Sequence, residues 1–380
     1  MIVETHLLQN FAPSCLNRDD TNSPKDCEFG GFRRARISSQ CIKRAIRHHP
    51  VFAETLGRGI GVRTKLLAEA VAVRLAQGGR EPDGARAIAL AVVEALMGKM
   101  KADKTSVLIY LGDDETGRIA DAIEEHWDAV APHVPAAGED DGKQRKEPKE
   151  FKEAVATIAK TFRSGTDAAD IALFGRMVAE NTHMNVDAAC QVAHAISTHK
   201  VSMEMDFYTA VDDLQPDDTT GAGMMGTMEF NSSCFYRYAA IDLDQLQQNL
   251  AGDVALARRA VEAFIRASIA AIPSGKQNCS AAQNPPAFVM CVVRDSGAPW
   301  SLANAFEVPV RPGEGGWTCS SIRALAEHWS ALKRMYGDCG IRTVALCALS
   351  EAKLDGLADS LRPGVEDVIA AVREAIGGGE

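Results

Sequence analysis

Apolar residues recur along the chain with two periods, which predict an order of strands and helices. Residues Ile2 to Leu8 alternate with a period of two and predict a first strand. Residues 10–31 are rich in proline, glycine, asparagine and aspartate, so they predict a long polar loop. Ser38 or Ser39 can then cap a helix that runs from Gln40 to His48. Strand, loop and short helix should pack as one unit.

The next hundred residues have the period of helices. Helices are predicted over Val62–Leu75, Ala85–Met100, Gly117–Val130 and Phe151–Phe162. Residues 135–150 carry mixed charges and almost no large apolar side chain, which is typical of a solvated linker. We therefore expect an α-helical block inserted between portions that contain strands.

Strands and helices alternate in the rest of the chain. The predicted elements are strands at 188–198 and 233–243, a helix at 254–272, a strand at 287–293, a helix at 320–335, a strand at 341–349 and a helix at 364–375. Residues 206–227 exceed the length of ordinary connections, which predicts a segment that is either disordered or functional. The pattern predicts an α+β fold that carries inserted segments.

Composition narrows the class of protein. The 380 residues are 46% hydrophobic and 24% charged, which excludes a mainly disordered, fibrous or membrane-embedded chain. At roughly 150 residues per domain, two or three compact units are expected. The formal net charge of −10 argues against general coating of nucleic acid but permits a local basic surface.

The ten cysteines are scattered, with no CxxC pair and no histidine at zinc-ligand spacing. This predicts free thiols in a reducing compartment and neither a metal nor a cofactor. The N-terminal segment has Glu4 where a secretory signal would be basic, and no apolar run reaches roughly 18 residues. We therefore expect a cytoplasmic protein with no membrane association.

The segment 31–50, GFRRARISSQCIKRAIRHHP, is the most informative for chemistry. It has six cations and no acid, at Arg33, Arg34, Arg36, Lys43, Arg44 and Arg47. The helix start beside Ser38, Ser39 and Gln40 adds hydroxyls, backbone N–H donors and the positive end of a helix dipole. A polyphosphate or a nucleic-acid backbone fits this combination, whereas a solvated face whose cations pair with acids elsewhere is the alternative. No glycine-rich nucleotide loop lies in a strand–helix context.

Several blocks resemble the CasC-type backbone subunits of type I-E CRISPR Cascade complexes. The N-terminal signature is carried by PSCLNRDD (13–20), FGG (29–31), RISSQ (36–40) and KRA (43–45). Further matches follow in collinear order, at DIAL (170–173), GRM (175–177), AHAI (193–196), FYTAVDDL (207–214), FYRYA (235–239) and ANAFE (303–307). The resemblance is weakest from about 50 to 165 and beyond 310.

The resemblance implies a hand-like α+β fold, with a palm similar to the RNA-recognition motif (ferredoxin-like), a helical fingers insertion and a β-hairpin thumb. It places the palm at 1–55, 166–199 and 228–380, the fingers at 56–165 and the thumb at 200–227.

The resemblance also implies a non-catalytic subunit that polymerises along a CRISPR RNA. Its expected partners are the CRISPR RNA, a target DNA strand paired with the guide, copies of itself in a helical filament and other Cascade subunits. The RNA-binding residues implied are Asn17, Arg18, Lys25, Arg36, Ser38, Ser39, Gln40, Lys43, Arg44, Arg47 and Met177. The base-displacing residues implied for the thumb are Phe207, Tyr208, Thr209 and Met225.

Other functions compete with this one. Related backbone subunits of type III complexes cleave RNA with a loop aspartate, and Asp19, Asp20 and Asp26 occupy a comparable loop that could hold Mg²⁺. An enzyme acting on a phosphorylated metabolite is a third hypothesis, although no nucleophile–base pair is readable.

Structural roles are the alternatives for single residues. Phe207 and Tyr208 could form the core of a hairpin, and Met177 and Met225 could fill gaps. His194 and His199 are expected to be structural, because no partner stands at ligand spacing.

Overall fold

The computed structural model describes residues 1–133, 148–160, 165–178, 184–214, 223–349, 354 and 356–377. Contacts divide the chain into two compact units. Unit 1 comprises Met1–Phe52, Gln191–Ile241 and Val261–Glu380, and unit 2 comprises Ala53–Cys190 and Asp242–Ala260. Among the described residues, no helix combines the length and apolarity needed to cross a bilayer.

The strands are β1 (Ile2–Ser14), β2 (Asp26–Phe29), β3 (Phe32–Ile37), β4 (Val62–Thr64), β5 (Ile109–Leu111), β6 (Cys190–Val192), β7 (Ala195–Ser197), β8 (Glu204–Ala210), β9 (Met224–Asp242), β10 (Phe288–Arg294) and β11 (Ile341–Ala348). The helices are α1 (Ser39–His48), α2 (Pro50–Leu56), α3 (Leu67–Gln77), α4 (Pro82–Met97), α5 (Asp113–Glu125), α6 (Trp127–Val130), α7 (Lys149–Lys160), α8 (Ala169–Phe174), α9 (Leu243–Asn249), α10 (Val254–Ala270), α11 (Gln277–Ser280), α12 (Gly316–Tyr336) and α13 (Val365–Ala375). Short 3-10 turns lie at Ala131–His133, Ala303–Phe306 and Ala358–Ser360.

Unit 1 is built on a sheet with the strand order β11-β10-β1-β9-β7-β3-β2. β1 and β10 pair antiparallel, with Ile2 opposite Arg294 and Leu8 opposite Phe288, and β10 also pairs antiparallel with β11. Side chains alternate between the two faces of a strand, yet residues 3–9 of β1 are all buried. Both faces of the sheet are therefore covered at β1.

Different helices cover the two faces. Leu8 belongs to a core that contains Phe288 of β10 and Trp329 of α12. On the opposite face, Leu7 lies beside α1, α10 and β9. The apolar stripe predicted for the first helix is therefore used to bury one face of β1, with Ile42 and Ile46 at 4% and 1% exposure.

A turn with two glycines connects distant parts of unit 1. Gly30 and Gly31 have φ of 61° and 78°, and a Cβ on Gly30 would lie 2.0 Å from the carbonyl oxygen of Glu307. Buried Arg34 donates hydrogen bonds to the backbone oxygens of Ser197 and Phe306, at 3.0 and 2.7 Å. The turn between β2 and β3 is therefore held against residues 303–307 through backbone contacts that leave no room for a side chain.

Unit 2 has a separate core formed mainly by α3, α4, α5 and α7, with the two-stranded sheet of β4 and β5 against it. Arg176 forms an ion pair with Glu115 at 2.8 Å, and both side chains are 1% exposed. Arg176 also donates to the backbone oxygens of Met184 and Tyr110 at 2.6 and 2.9 Å. These partners satisfy a charge that would be costly to bury alone.

The structure differs from the predicted pattern where tertiary contacts change a local preference. The expected polar loop 10–31 is shorter, because β1 continues to Ser14 and β2 begins at Asp26. Pro50 starts α2 immediately after α1, a position that needs no backbone N–H donor. Residues 62–64, predicted as helix, form β4 because they pair with β5.

The contacts also divide the chain differently from the predicted domains. Residues 166–190, predicted as palm, belong to unit 2, as do residues 242–260. The predicted thumb 200–227 contains β8 and the beginning of β9, which pair as a hairpin. Most of the predicted linker 135–150 lies outside the described residues.

Polar side chains of β1 are buried in unit 1. Glu4 is fully buried, where it accepts hydrogen bonds from the Arg294 guanidinium, the Trp300 backbone N–H at 2.7 Å and the Tyr238 hydroxyl at 3.2 Å. Burial nevertheless raises the pKa of the Glu4 carboxyl, against the opposing effect of Arg294. These contacts pair the Glu4 carboxylate in a sheet that is covered on both faces at β1.

His6 makes the stability of the protein depend on pH. Its Nδ1 lies 2.9 Å from the Tyr236 hydroxyl, and burial, together with Arg294, lowers the His6 pKa to about 3. An unfolded histidine binds a proton below pH ~6.5, so the folded state loses stability as pH falls from there towards 3.

We expect the free energy of unfolding to fall between pH 6.5 and 4.5 by about 1.4 kcal/mol per unit from this residue alone. His6→Gln should remove that part of the pH slope in urea unfolding followed by circular dichroism. Equal slopes for the wild type and His6→Gln would contradict the assignment.

Candidate nucleic-acid interface

The loop after β1 is fixed to the start of α1. The Asn17 side-chain oxygen accepts a hydrogen bond from the Ser38 backbone N–H at 2.8 Å. The Lys25 N–H donates to the Asn17 carbonyl, and the Arg36 N–H donates to the Lys25 carbonyl, both at 2.9 Å. Ser38 caps α1, its hydroxyl accepting from the Cys41 N–H at 3.3 Å. Asn17 and Ser38 therefore position this surface as well as belonging to it.

Within the loop, Asp19 organises a tight turn. Its Oδ1 accepts hydrogen bonds from the Thr21 N–H and hydroxyl and from the Ser23 N–H, at 2.8–3.0 Å. The hydrogen bond from the Thr21 side chain lowers the pKa of the Asp19 carboxyl, as do the backbone donors. Arg18 is exposed and donates to the Asn22 side chain at 2.5 Å. The turn holds an arginine at the surface beside α1.

A cleft of about 670 Å³ lies between this loop, the outer side of α1 and the segment 272–275. Its lining residues are Leu16, Asn17, Arg18, Asp19, Asp20, Asn22, Cys41, Arg44, Ala45, His48, His49, Pro50, Ile272, Pro273, Ser274 and Gly275. The volume is in the range of small-molecule and nucleotide pockets. Of the residues predicted to bind RNA, the cleft brings together Asn17 and Arg18 of the loop and Arg44 of α1.

The cations at the loop and the basic segment differ in exposure and in ion pairing. Arg44 is exposed and Lys25 partly exposed, and neither has an ion-pair partner within the described part of the chain. Both act on Cys41, whose thiol pKa is raised by burial and lowered in part by these two charges. Among the residues that the structure describes, no carboxylate forms an ion pair with either charge, so both can attract an anion.

Other predicted residues are less accessible. Arg47 is only 5% exposed, so its guanidinium lies inside unit 1 rather than on the face of Arg44. Arg36 is partly buried and donates to the Asp26 backbone oxygen at 3.0 Å, whereas exposed Arg33 pairs with the Asp26 carboxylate. Ser39, Gln40 and Lys43 are at least partly exposed on α1.

His194 lies at this surface, although the sequence indicated only a structural role. It is exposed, and its Nδ1 is 3.2 Å from the Arg36 guanidinium and 3.4 Å from the Ser39 N–H. Burial, then the charges of Arg36 and Lys25, lower its pKa. Because Nδ1 accepts, the proton of the neutral ring is on Nε2, which can donate to a ligand. The sequence offered one signal for this position, the matched AHAI block at 193–196. This block leads into β7, which pairs Ile196 with Arg36 of β3.

His199 has the expected structural role. Its ring stacks on Trp317 with centroids 4.0 Å apart, and its Nε2 accepts from the Cys234 N–H at 3.1 Å. Its Nδ1 lies 2.9 Å from the Lys200 carbonyl, so both ring nitrogens are satisfied in a buried site.

The β8–β9 hairpin exposes its apolar side chains on two faces. Phe207 is opposite Thr227, and Thr209 is opposite Met225, so Phe207, Thr209 and Met225 share one face. Tyr208 lies on the other face, where a Cβ on Gly226 would be 2.6 Å from its ring. The implied base-displacing set is therefore split between two faces.

The hairpin aromatics do not form a hydrophobic core. Phe207 is 62% exposed, Met225 67% and Tyr208 41%. Met205, 69% exposed, lies two positions before Phe207 and so joins the Phe207 face. The sequence analysis missed Met205 because the overlong segment was taken to begin at Asp206, one residue later.

Met177 belongs to unit 2. It is 86% exposed and follows buried Arg176, whose backbone is fixed by a bridge to Val186. It does not fill a gap in the core, which was the structural alternative for this methionine.

The loop aspartates are used in different ways. Asp19 is held by its turn, and Asp26 pairs with Arg33, while Asp20 is exposed. Among the described residues, no group of three or more His, Cys, Asp or Glu side chains is arranged to hold a metal ion. All ten cysteines are free thiols.

Known proteins share this architecture. A chain from a structure titled "CRISPR RNA-guided surveillance complex, pre-nicking" is 33% identical, with a TM-score of 0.83 over 99% of this chain and 100% of that one. A chain titled "CRISPR RNA-guided surveillance complex" is 28% identical, with a TM-score of 0.72 and the same coverage. No curated protein matches the chain. The family model described as CT1975-like protein matches residues 3–369. With that match and a 33% identical relative over nearly its whole length, the chain belongs to the CT1975-like protein family.

Proposed function

We propose that this chain is a non-catalytic backbone subunit of a type I-E Cascade surveillance complex and binds the guide RNA. The observation that carries the proposal is the cleft beside α1, where Arg18 and Arg44 present positive charge on a protein of net charge −10. The similarity to chains of RNA-guided surveillance complexes supports a Cascade-type role.

The chemistry of the cleft suits a strand of any sequence. Cations and backbone N–H groups bind phosphates, which carry no information about the bases. A guide carrier needs this property, because base pairing between the guide and the target DNA supplies the specificity. The RNA backbone would lie along the loop 17–25 and the exposed side of α1, near His194.

We assign unit 1 to the RNA-recognition-like palm and unit 2 to the fingers. The central position of β1, between β9 and β10, gives the palm a rigid sheet beneath the cleft. Exposed Met177 of unit 2 is then a fingers contribution to RNA contact.

The β8–β9 hairpin serves as the thumb. Its Phe207 face, with Thr209, Met225 and Met205, offers apolar surface that stacks on bases regardless of sequence. A hairpin that reaches a second copy forms a head-to-tail contact, and such contacts build an open helical filament along the RNA. Other Cascade subunits would complete the assembly.

Cleavage of RNA by a loop aspartate is the competing function. Three hydrogen-bond donors from its own turn occupy Asp19 Oδ1, and Arg33 occupies the Asp26 carboxylate. These contacts favour a structural use of both aspartates.

Arg44→Gln should weaken binding of single-stranded RNA uniformly across sequences, because it removes an exposed charge without an ion-pair partner. The slope of log K against log salt should fall by about 0.7 for the lost phosphate contact. Fluorescence anisotropy of labelled RNA at several salt concentrations measures both.

Arg47→Gln is the matched comparison, because Arg47 is on the same helix but buried. It should lower stability by about 1–3 kcal/mol, through the loss of buried polar contacts, and leave the salt slope of the folded protein unchanged. If Arg47→Gln lowered the salt slope and Arg44→Gln did not, the outer face of α1 would not be part of the interface.

Phe207→Ser should reduce displacement of guide bases in the assembled complex, because it removes about 1–3 kcal/mol of stacking per aromatic. 2-Aminopurine placed along the guide reports displaced bases by its fluorescence. Tyr208→Ser is the paired control on the opposite face. Equal loss from both substitutions would show that the faces do not have separate roles.

Complementary RNA incubated with the assembled complex and Mg²⁺ should remain intact if the subunit is non-catalytic. Gel electrophoresis of end-labelled RNA detects cleavage. Cleavage products that disappear on Asp19→Ala or Asp26→Ala would establish the endoribonuclease instead.

A further inference from the structure

A buried arginine in the sheet of unit 1 has few partners for its charge. Arg237 of β9 is 7% exposed, and its Nη1 donates a hydrogen bond to the Gln9 side-chain oxygen at 2.6 Å. A guanidinium has five N–H donors, so this one contact leaves most of them unused among the described residues. Burial alone lowers the pKa of Arg237, to about 10. No carboxylate within the described part of the chain forms an ion pair with it.

Arg237 lines a cavity of about 20 Å³ on the face of the sheet that α1 and α10 cover. Apolar side chains form much of the wall, among them Leu7 of β1, Ile42 and Ile46 of α1 and Phe264 of α10. A cavity of this size holds one water molecule or one small ion and is too small for a phosphate group. The apolar surroundings make an uncompensated charge costly.

Ser268 brings a second donor to the same cavity. It is 4% exposed and lines the cavity from α10. Its hydroxyl has no hydrogen-bond partner among the residues that the structure describes. A serine hydroxyl rotates to suit its acceptor, and leaving it unpaired in an apolar site costs free energy. Two elements, β9 and α10, therefore place a charged donor and a neutral donor at one cavity.

The acid of β1 does not neutralise Arg237. Side chains alternate along a strand, so Glu4 lies on the opposite face of β1 from Leu7, which lines the cavity. The Glu4 carboxylate is paired with Arg294 on that opposite face. Gln9, the described partner of Arg237, contributes a neutral oxygen. A neutralising ion would therefore come from solution.

We propose that the cavity binds one chloride ion, which accepts hydrogen bonds from the Arg237 guanidinium and the Ser268 hydroxyl. An anion fits this site better than a water molecule, because both polar groups can donate and one of them is charged. Ile42 and Ile46 of α1 form part of the wall, so the ion would lie behind the basic helix and offset repulsion between its cations and Arg237. The proposal does not depend on RNA binding.

Thermal unfolding of the full chain in sodium chloride and in sodium gluconate, at equal ionic strength, tests the site. Gluconate is too large for the cavity, so the comparison separates binding from screening. We expect a Tm about 3 °C higher in roughly 0.3 M chloride, because a ligand that binds only the folded state stabilises it. Equal Tm values in the two salts would overturn the proposal.

Three variants identify the residues responsible. Arg237→Met removes the charge and keeps a long unbranched side chain, and it should abolish the difference between the two salts. Ser268→Ala should reduce the difference. The control is Arg334→Met, which removes an exposed cation from the last turn of α12 and should keep the full difference. A difference that persists in Arg237→Met would be a general salt effect and would contradict the site.

Crystals of the wild type soaked in sodium bromide locate the ion directly. Bromide is only slightly larger than chloride and scatters anomalously, so we expect an anomalous difference peak between Arg237 and Ser268. Density at this position without an anomalous signal would identify a water molecule instead, and the proposal would be wrong. This measurement needs no substitution, so it decides the question even if Arg237→Met does not fold.

Discussion

The hydrogen bond from the Ser38 N–H to the Asn17 side chain is the contact on which the interface depends. It joins the loop after β1 to the first turn of α1, at 2.8 Å. The hydrogen bonds from the Lys25 N–H to the Asn17 carbonyl and from the Arg36 N–H to the Lys25 carbonyl hold the same loop, so that Arg18 and Arg44 line one cleft. Fixed cations bind an anion at a smaller entropic cost than mobile ones, so the loop geometry contributes to affinity without touching a ligand.

The basic helix could be predicted from sequence because its signals are local. A serine cap, an apolar stripe and a run of cations all lie within residues 31–50, and α1 follows them closely. Which cations are exposed and which are buried could not be predicted, because the burial of Arg47 depends on packing against the rest of unit 1. The same limit explains His194, which reaches the interface through the pairing of β7 with β3, about 160 residues apart in sequence.

The hairpin shows a second limit of sequence reasoning. A stretch rich in glycine, aspartate and threonine predicted a loop, because neither period was visible in it. In the structure, β8 pairs with the beginning of β9 and forms a two-stranded ribbon. Because side chains alternate along a strand, the neighbours Phe207 and Tyr208 lie on opposite faces. Residues that are adjacent in sequence thus acquire different surroundings, and Gly226 makes room for the tyrosine ring.

The cleft and the hairpin differ in their charged residues. Residues 204–230 contain seven acids, at Glu204, Asp206, Asp212, Asp213, Asp217, Asp218 and Glu229, and no lysine or arginine. Such a hairpin repels phosphates, so the RNA contact that we propose for it would come from apolar stacking and not from charge. The cleft differs in that the exposed arginines Arg18 and Arg44 line it, and among the described residues no carboxylate forms an ion pair with Arg44. In the role proposed above, an acidic protein would therefore hold the RNA backbone at the cleft, while the exposed Phe207 of the hairpin would contact bases.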